Sequence, residues 1–203
     1  RGNDREMGLL ILLWVGWCVL HSLLITTAVR RWCERQGGFW QGGYRLAYAV
    51  ISLVTVLPVV WYGQSLPQTT LFDPPLWFRL VQVLLLVIAL VLFVGGARAH
   101  DLGGFLGLRQ WRDYRAGRPA ELPALHTGGI LAHVRHPWYG GGLALLWGLP
   151  GLTDVSLVTR LILSAYLVIG ARLEERKLIG LHGEAYRDYR RRVPMFFPWR
   201  FGR

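Results

Sequence analysis

The chain has 203 residues, of which 53% are apolar and 17% are charged. This balance lies outside that of ordinary soluble domains and indicates a membrane protein. Its 23 basic and 12 acidic residues would favour nucleic-acid binding in a soluble protein, but the charges cluster between long apolar runs, so we expect no nucleic-acid partner. Two cysteines are too few for a disulfide framework, which excludes a disulfide-stapled secreted fold.

The apolar runs predict an all-α polytopic membrane protein that forms a single domain over residues 1–203. A helix needs about 20 uncharged residues to cross a bilayer core, and the run from Met7 to Val29 has 23. That run is longer than the apolar region of a signal peptide, so we interpret it as a membrane helix. We expect about five membrane helices, at about 8–29, 46–66, 80–97, 137–153 and 155–171, the last two forming a hairpin before a cytoplasmic tail, 172–203.

Basic residues are unevenly distributed between the two sides of these spans, with 19 on one side and 4 on the other. By the positive-inside rule, this asymmetry places the amino terminus outside and the carboxyl terminus in the cytoplasm, and we expect a bacterial inner membrane. Arg160 interrupts the last span, and we expect its side chain to reach water at the far interface. The larger group lies in the segments 30–45, 98–135 and 172–203, and the smaller is Arg1, Arg5, Arg79 and Arg160.

The densest polar motif is RHPWYGGG, which starts at Arg135. Pro137 is suited to the first turn of a helix, and the amino-terminal end of a helix binds anions through its dipole. Arg135 and His136 place further hydrogen-bond donors beside that end. The three glycines at 140–142 either let a ligand approach the helix or pack against a neighbouring span, and the sequence leaves both interpretations open.

Two adjacent carboxylates, Glu174 and Glu175, stand at the end of the last predicted span. The helix dipole disfavours negative charge at that end of a helix, so we expect a compensating cation nearby. The cation is either a bound ligand or one of the basic neighbours in the sequence, which are Arg172, Arg176 and Lys177.

Several histidines and tyrosines have both a structural and a functional interpretation. His21 lies inside the first span, roughly 13 Å from its inner end, where an ionisable residue is a functional candidate or a neutral imidazole bonded to another helix. His133 and His136 are three residues apart, but no cysteine or carboxylate completes a ligand set, and we expect no metal site. Tyr186 and Tyr189 share a helical face and are typical of an interfacial aromatic belt.

Four motifs follow one another in the last third of the chain: RHPWYGG, EERKL, GEAYRDY and VPMFFP. In this order and spacing they resemble the isoprenylcysteine carboxyl methyltransferase-like family of integral membrane methyltransferases. Upstream, His21-Ser22, the segment YRLAY at 44–48 and the segment GLRQ at 107–110 are similar to the branch that contains bacterial methanethiol S-methyltransferases. The resemblance therefore covers most of the chain.

The resemblance implies S-adenosyl-L-methionine as the cofactor, bound at the cytoplasmic face between the last two membrane helices and the carboxyl-terminal segment. The residues expected to bind it are His126, Gly128, His136, Tyr139, Gly140, Glu174 and Glu175. The expected catalytic residues are His21, Arg109 and Arg135, and the residues expected to contact the acceptor are Ser22, Tyr48 and Gln110.

We expect the methyl acceptor to be a small hydrophobic thiol, such as methanethiol, that enters from the bilayer. A free thiol with a pKa of about 8.5 is mostly protonated at neutral pH, so its enzyme needs a base or a cation near the sulfur, and His21 is the expected proton acceptor. The alternatives are carboxyl methylation of an isoprenylcysteine, methylation of a lipid, a membrane reductase, or a non-catalytic membrane protein similar to the accessory proteins of denitrification. The sequence leaves the oligomeric state open.

Overall fold

The structure is a computed structural model that describes residues 2–118 and 124–198. It is built almost entirely of helices, which confirms the predicted class of polytopic all-α membrane protein. Arg1, the segment 119–123 and the end of the predicted tail at 199–203 lie outside the described residues. Among the described residues, four helices are long and apolar enough to cross a membrane: Asp4–Leu24, Phe39–Ser65, Leu76–Ala99 and Asp154–His182.

The described elements fall into two compact units, each built from two separate segments of the sequence. Helices α1, α2, α3, α5 and α6 form the first unit, and the remaining elements form the second. In chain order the elements are α1 (Gly2–Leu24), α2 (Thr27–Glu34), α3 (Phe39–Ser65), β1 (Thr70–Phe72), α4 (Leu76–Ala99), α5 (Leu102–Leu106), α6 (Leu108–Arg115), a 3-10 helix (Gly129–Ala132), α7 (Pro137–Gly148), β2 (Leu152–Thr153), α8 (Asp154–His182) and α9 (Glu184–Arg192).

In the first unit, α1 and α3 pack against each other in antiparallel directions. Near one end of the pair, the hydroxyl of Tyr62 donates to the carbonyl of Glu6 at 3.3 Å. Near the other end, the hydroxyl of Tyr44 donates to the carbonyl of Leu24, the last residue of α1. Carbonyls at the end of a helix have no partner within the helix, so the Tyr44 hydroxyl satisfies one of them.

The helices differ from the predicted spans at their ends. α1 ends at Leu24 rather than near residue 29, because Thr26 caps a new helix by accepting a hydrogen bond from the backbone of Val29. At the other end of the chain, α8 continues to His182. Glu174 therefore lies two turns inside a helix and not at its end, so the expected helix-dipole penalty on the carboxylate pair is smaller than the sequence suggests.

In the second unit, the short helix α7 lies antiparallel to α4. Gly96 in α4 lies against the indole of Trp138 at the start of α7, and the carbonyl of Gln82 lies beside Gly148 at its end. With 12 residues, α7 is roughly 18 Å long, while the core of a bilayer is about 30 Å thick. The chain after α7 continues into β2, which pairs with β1, the strand preceding α4.

Two buried polar side chains donate hydrogen bonds to the backbone carbonyls that follow the carboxyl-terminal end of α7. Gln82 Nε2 donates to the carbonyl of Leu149 at 2.9 Å. The guanidinium of Arg160 donates to the carbonyls of Leu149, Pro150 and Gly151 at 3.0, 3.3 and 2.7 Å. Arg160 is only 6% exposed, so the expectation that it reaches water was wrong. It stays inside because the carbonyls that follow the end of α7 accept its hydrogen bonds.

Candidate functional site

A buried ion pair joins the two motifs that the sequence analysis treated separately. Arg135 Nε donates to Glu175 Oε1 at 2.7 Å, and the neighbouring Nη2 lies 2.6 Å from the same oxygen. The two side chains are 7% and 6% exposed. The cation that compensates this carboxylate is therefore a protein residue 40 positions earlier in the chain, and neither of the two sources that we expected is needed at Glu175.

The last segment of the chain holds this pair in place. The Arg135 guanidinium also donates to the carbonyls of Val193 and, at 3.0 Å, Arg190. The backbone N–H groups of Arg135 and His136 donate to the carbonyls of Pro194 and Met195 at 2.9 and 3.0 Å. The VPMFFP motif therefore acts through its backbone, because its carbonyls bind the residues that precede α7.

His136 lies directly beside the ion pair and is 5% exposed. Its Nδ1 is 3.8 Å from Glu174 Oε2, and its Nε2 is 3.5 Å from Glu175 Oε1. Among the residues that the structure describes, Nε2 has no hydrogen-bond partner. The Glu174 side chain is 46% exposed, so its carboxylate, unlike that of Glu175, remains accessible to a ligand. The ring of Tyr139 packs on His136 at a centroid distance of 5.4 Å.

His100, which the sequence analysis did not single out, belongs to the same region. It follows α4, and its ring packs against that of Trp138 at a centroid distance of 5.1 Å. Burial lowers the pKa of His100 below its usual value. The nearby Glu174 carboxylate raises this pKa, whereas His126 and His136 lower it further. In the sequence, only its position just after the third predicted span could have indicated that His100 belongs to the site. His126 itself is exposed, as is Gly128, the residue before the 3-10 helix.

The three glycines of α7 are packing positions. The carbonyl of Phe196 occupies the place that a Cβ at Gly140 would take. The expected close approach at Gly140 is therefore made by the protein's own backbone, which leaves no room there for a cofactor. The other two glycines pack against side chains, Gly141 against Phe93 and Gly142 against Leu167.

Tyr186 and Tyr189 are buried within the second unit, so the expectation of an interfacial aromatic belt was wrong. Tyr186 is 1% exposed, and its hydroxyl donates to Glu175 Oε1 at 3.5 Å. Tyr189 donates to the carbonyl of Leu131 at 2.6 Å. Burial raises the pKa of Tyr189 to about 12 and that of Tyr186 further above its usual range. Both hydroxyls therefore remain protonated hydrogen-bond donors at neutral pH.

A second polar cluster lies in the first unit, between α1 and α3. His21 Nε2 is 2.6 Å from the hydroxyl of Tyr48, and His21 Nδ1 is 3.0 Å from Ser52 Oγ. The ring of Trp17 stacks on His21 at a centroid distance of 4.9 Å, and its indole N–H donates to the carbonyl of Ser52 at 3.3 Å. Ser52 was missed, because a single serine in an apolar run gives no signal until the opposite helix is known.

The remaining predicted site residues lie elsewhere in the first unit. Arg109 forms an ion pair with Asp101 at 2.9 Å, and both side chains are about half exposed. Gln110 Nε2 donates to the carbonyl of Gly104 at 2.9 Å, while its buried Oε1 has no partner within the part of the chain described. Ser22 follows His21 on α1 and is half-buried.

The segment YRLAY contributes three different contacts in the first unit. Tyr44 bonds the end of α1, and Tyr48 bonds His21. Arg45 Nε donates to the carbonyl of Phe105 at 2.8 Å. Gly107 lies against the backbone of Arg45 with a φ of +87°, and both the close approach and the positive φ require glycine.

The sequence as a whole matches one family model and several curated proteins. The family model is described as NnrU protein and matches residues 9–193. The chain is 30% identical over 192 residues to methanethiol S-methyltransferase 1 of Bradyrhizobium diazoefficiens, a match that covers 94% of this chain and 66% of the relative. It is 30% identical over 185 residues to methanethiol S-methyltransferase of a Pseudomonas strain, covering 89% and 68%. It is 29% identical over 193 residues to nurim of Sus scrofa, covering 90% and 70%.

The chain thus spans about two thirds of the length of these curated relatives. No solved structure matches it. The similarity to methanethiol S-methyltransferases confirms the branch that the upstream motifs predicted. The four long apolar helices confirm an integral membrane protein. Because the family model extends from α1 to the residue that follows α9, the match covers both structural units, and the chain belongs to the NnrU protein family.

Proposed function

We propose that this protein is a membrane methyltransferase that transfers a methyl group from S-adenosyl-L-methionine to a small hydrophobic thiol. The observation that carries the proposal is His136 Nε2, a buried polar atom without a hydrogen-bond partner among the described residues. A native protein rarely leaves such an atom unsatisfied, and the carboxylate oxygen beside it, Glu175 Oε1, is 3.5 Å away, so we infer that a ligand completes the bonding of this side chain. The relatives named methanethiol S-methyltransferase support the choice of ligand and reaction.

The residues around His136 fit the charges of this cofactor. The amino-terminal end of α7 carries the positive end of the helix dipole, which favours the carboxylate of the cofactor. His136 adds a hydrogen-bond donor at that end. The half-exposed carboxylate of Glu174, 3.8 Å from His136 Nδ1, suits the cofactor's ammonium group and ribose hydroxyls. When bound, the cofactor supplies the activated methyl group.

Within this site we assign supporting roles to two residues that the sequence analysis placed in contact with substrates. Glu175 and Arg135 already bond each other, so their charges are used inside the protein. Their role is to hold His136 and the start of α7 in position. His126, Gly128 and Tyr139 remain proposed contacts of the cofactor, and His100 joins them because its ring packs on Trp138 at the start of α7.

We propose that residues of the first unit bind the methyl acceptor and remove its proton. A thiol arrives protonated, whereas the carboxylate of a prenylcysteine arrives ionised, so only a thiol requires a base. His21 is the proposed proton acceptor, with Ser22, Tyr48, Arg109 and Gln110 as proposed acceptor contacts. Gln110 Oε1 is, like His136 Nε2, a buried side-chain atom without a hydrogen-bond partner among the described residues, which supports a ligand-binding role for this side chain.

The direct test is methyl transfer by the purified protein. The protein is incubated with methyl-labelled S-adenosyl-L-methionine and separate pools of small thiols, prenylcysteines and phospholipids, and the labelled product is identified by mass spectrometry. We expect label in the thioether of a small thiol. Label confined to prenylcysteine or phospholipid would contradict the thiol assignment, and the absence of both cofactor binding and transfer would favour a non-catalytic accessory protein.

Replacement of His21 by alanine is expected to lower thiol turnover at neutral pH with little change in cofactor affinity. Raising the pH should restore part of the turnover, because more of a thiol with a pKa of about 8.5 then arrives as the reactive thiolate. The measurement is the pH profile of turnover for parent and variant. His133→Ala, an exposed histidine of the second unit, is the matched control. Unchanged turnover in His21→Ala would exclude His21 as the base.

We further propose a bacterial inner membrane with the amino terminus outside and the carboxyl terminus in the cytoplasm, on the basis of the distribution of basic residues. In a cysteine-free background, made by replacing Cys18 and Cys33, Gln68→Cys should react with an impermeant thiol reagent added to intact cells. Ala116→Cys should react only after the cells are opened. The reverse labelling pattern would contradict this orientation.

A further inference from the structure

The His21 cluster shows which atom a thiol has to approach. Both ring nitrogens of His21 already have partners, Tyr48 at 2.6 Å and Ser52 at 3.0 Å. A thiol therefore cannot reach a nitrogen of His21 without displacing one of them. A phenolic oxygen, in contrast, can accept one hydrogen bond while its hydroxyl donates another, as that of Tyr48 does to His21.

We propose that Tyr48 is the group that takes the proton from the thiol and relays it to His21, while Ser52 fixes the tautomer of His21. This inference rests on the proposed function and assigns the steps of acceptor activation. His21 Nδ1–H donates to Ser52 Oγ, which leaves Nε2 to accept from the Tyr48 hydroxyl. The thiol proton moves to the Tyr48 oxygen as the Tyr48 proton moves to His21 Nε2.

The products of this relay are a thiolate and an imidazolium, and no electron is gained or lost. The two opposite charges form together, so the net charge inside the membrane helices stays zero, which limits the cost of ionisation in an apolar environment. A thiolate stabilised by an imidazolium is the same arrangement that lowers the pKa of reactive cysteines. After methyl transfer to the thiolate, His21 releases the proton to water.

An apolar groove between α1 and α3 borders this cluster. Its cavity of about 300 Å³ is lined by Trp17 and by seven further residues of the two helices. Trp17 is one helical turn before His21 and stacks on its ring, so the groove and the cluster are adjacent and share this side chain. The lining residues are Leu12, Leu13, Gly16, Trp17, Leu20, Thr55, Pro58 and Val59.

The size and lining of the groove suit one class of occupant, a small hydrophobic thiol. Small-molecule sites have volumes of about 300–1,000 Å³, so this groove is at the lower end and suits a short alkyl or an aryl thiol better than a long prenyl chain. It presents its apolar wall along the membrane helices, where such a thiol partitions, and its wall at Trp17 borders the His21 cluster.

The relay is tested by the ionisation of a bound thiol in the absence of any cofactor. The probe is 4-methylbenzenethiol, whose thiolate and thiol differ in ultraviolet absorption, titrated into detergent-purified protein below the pH at which the probe ionises in solution. We expect the parent to bind it partly as thiolate, and Tyr48→Phe to reduce the thiolate fraction about tenfold or more. Tyr62→Phe, which removes a hydroxyl that links α3 to the opposite end of α1, should behave like the parent.

Ser52 is tested as a positioning residue in the same experiment. Ser52→Ala should reduce the thiolate fraction, and Ser52→Thr, which keeps the hydroxyl, should restore it. A thiolate fraction in Tyr48→Phe equal to that of the parent would overturn the relay. Failure of the threonine variant to restore ionisation, with normal folding, would overturn the role of Ser52.

The groove is tested by two leucine substitutions on the same helix. At both Gly16 and Gly8, the place that a Cβ would take has no atom within 4 Å, and leucine favours a helix more than glycine does, so both variants should fold. Gly16→Leu fills the groove and should raise the Kd of the probe about tenfold, whereas Gly8→Leu should leave it unchanged. Equal Kd values for the two variants would mean that the groove holds lipid and would overturn this access route.

Failure of this inference and failure of the proposed function are distinguishable. A protein that ionises the probe but transfers no methyl group to any thiol would contradict the proposed function and leave the relay intact. A protein that methylates thiols while Tyr48→Phe retains the thiolate would contradict the relay alone.

Discussion

Replacement of Arg135 by alanine is expected to destabilise the protein by about 3–5 kcal/mol, because it leaves the buried carboxylate of Glu175 without its cation. The Arg135 and Glu175 side chains are 7% and 6% exposed, so water cannot replace the lost partner. The variant also loses the bonds from Arg135 to the carbonyls of Arg190 and Val193, which hold the carboxyl-terminal segment. The measurement is the thermal unfolding midpoint of the detergent-purified protein.

The control for this prediction is Arg190→Ala. The Arg190 side chain is 48% exposed and lies 3.9 Å from the same carboxylate, so its removal should cost less than about 1 kcal/mol. The double variant Arg135→Met with Glu175→Leu should recover much of the stability, since replacing both members of a buried pair by apolar groups is often neutral. An Arg135→Ala variant as stable as Arg190→Ala would show that the pair contributes little.

Replacement of His136 by alanine, or of Glu174 by glutamine, is expected to weaken cofactor binding about tenfold to a hundredfold. Loss of a charge-assisted hydrogen bond costs about 1.5–3 kcal/mol. His136 is expected to donate to the cofactor's carboxylate, and Glu174 to accept from its ammonium or ribose. The affinity is measured by calorimetry with S-adenosyl-L-methionine and with its demethylated product.

Folding controls separate a binding effect from a structural one. Glu184→Gln is the matched control for Glu174→Gln, because Glu184 is an exposed carboxylate bonded to Arg187 and Arg191 on α9. It should bind the cofactor like the parent. If His136→Ala and Glu174→Gln fold normally and also bind the cofactor like the parent, the site at the start of α7 is incorrectly assigned.

Much of the fold was predictable, because the length and spacing of apolar runs depend on local sequence alone. The long helices and the all-α membrane class followed from runs of about 20 uncharged residues. The ends were less predictable, since they depend on contacts between helices. α1 ends where Tyr44 of α3 bonds Leu24. α7 ends at Gly148, two residues before Pro150, and Gln82 of α4 and Arg160 of α8 bond the carbonyl of Leu149 that follows it.

The chemistry of the candidate site was also partly predictable. The motifs identified which basic and acidic residues form the candidate site, and the order of RHPWYGG and EERKL indicated the family. The motifs did not show which charged residues form ion pairs. Arg135 and Glu175 are 40 residues apart and meet only through the packing of α7, α8 and α9. The same packing fills the space beside Gly140 with the carbonyl of Phe196.

Hydropathy and motif order are properties of the chain, and they were enough to predict an integral membrane protein with His136 before one apolar segment and Glu174 and Glu175 at the end of the next. The contacts between helices, in contrast, are visible only in the folded protein. There Glu175 is bonded to Arg135 while Glu174 stays accessible, and His21 lies between Tyr48 and Ser52. Burial and hydrogen bonding depend on which helices pack against each other, and side-chain packing over the whole unit sets that arrangement.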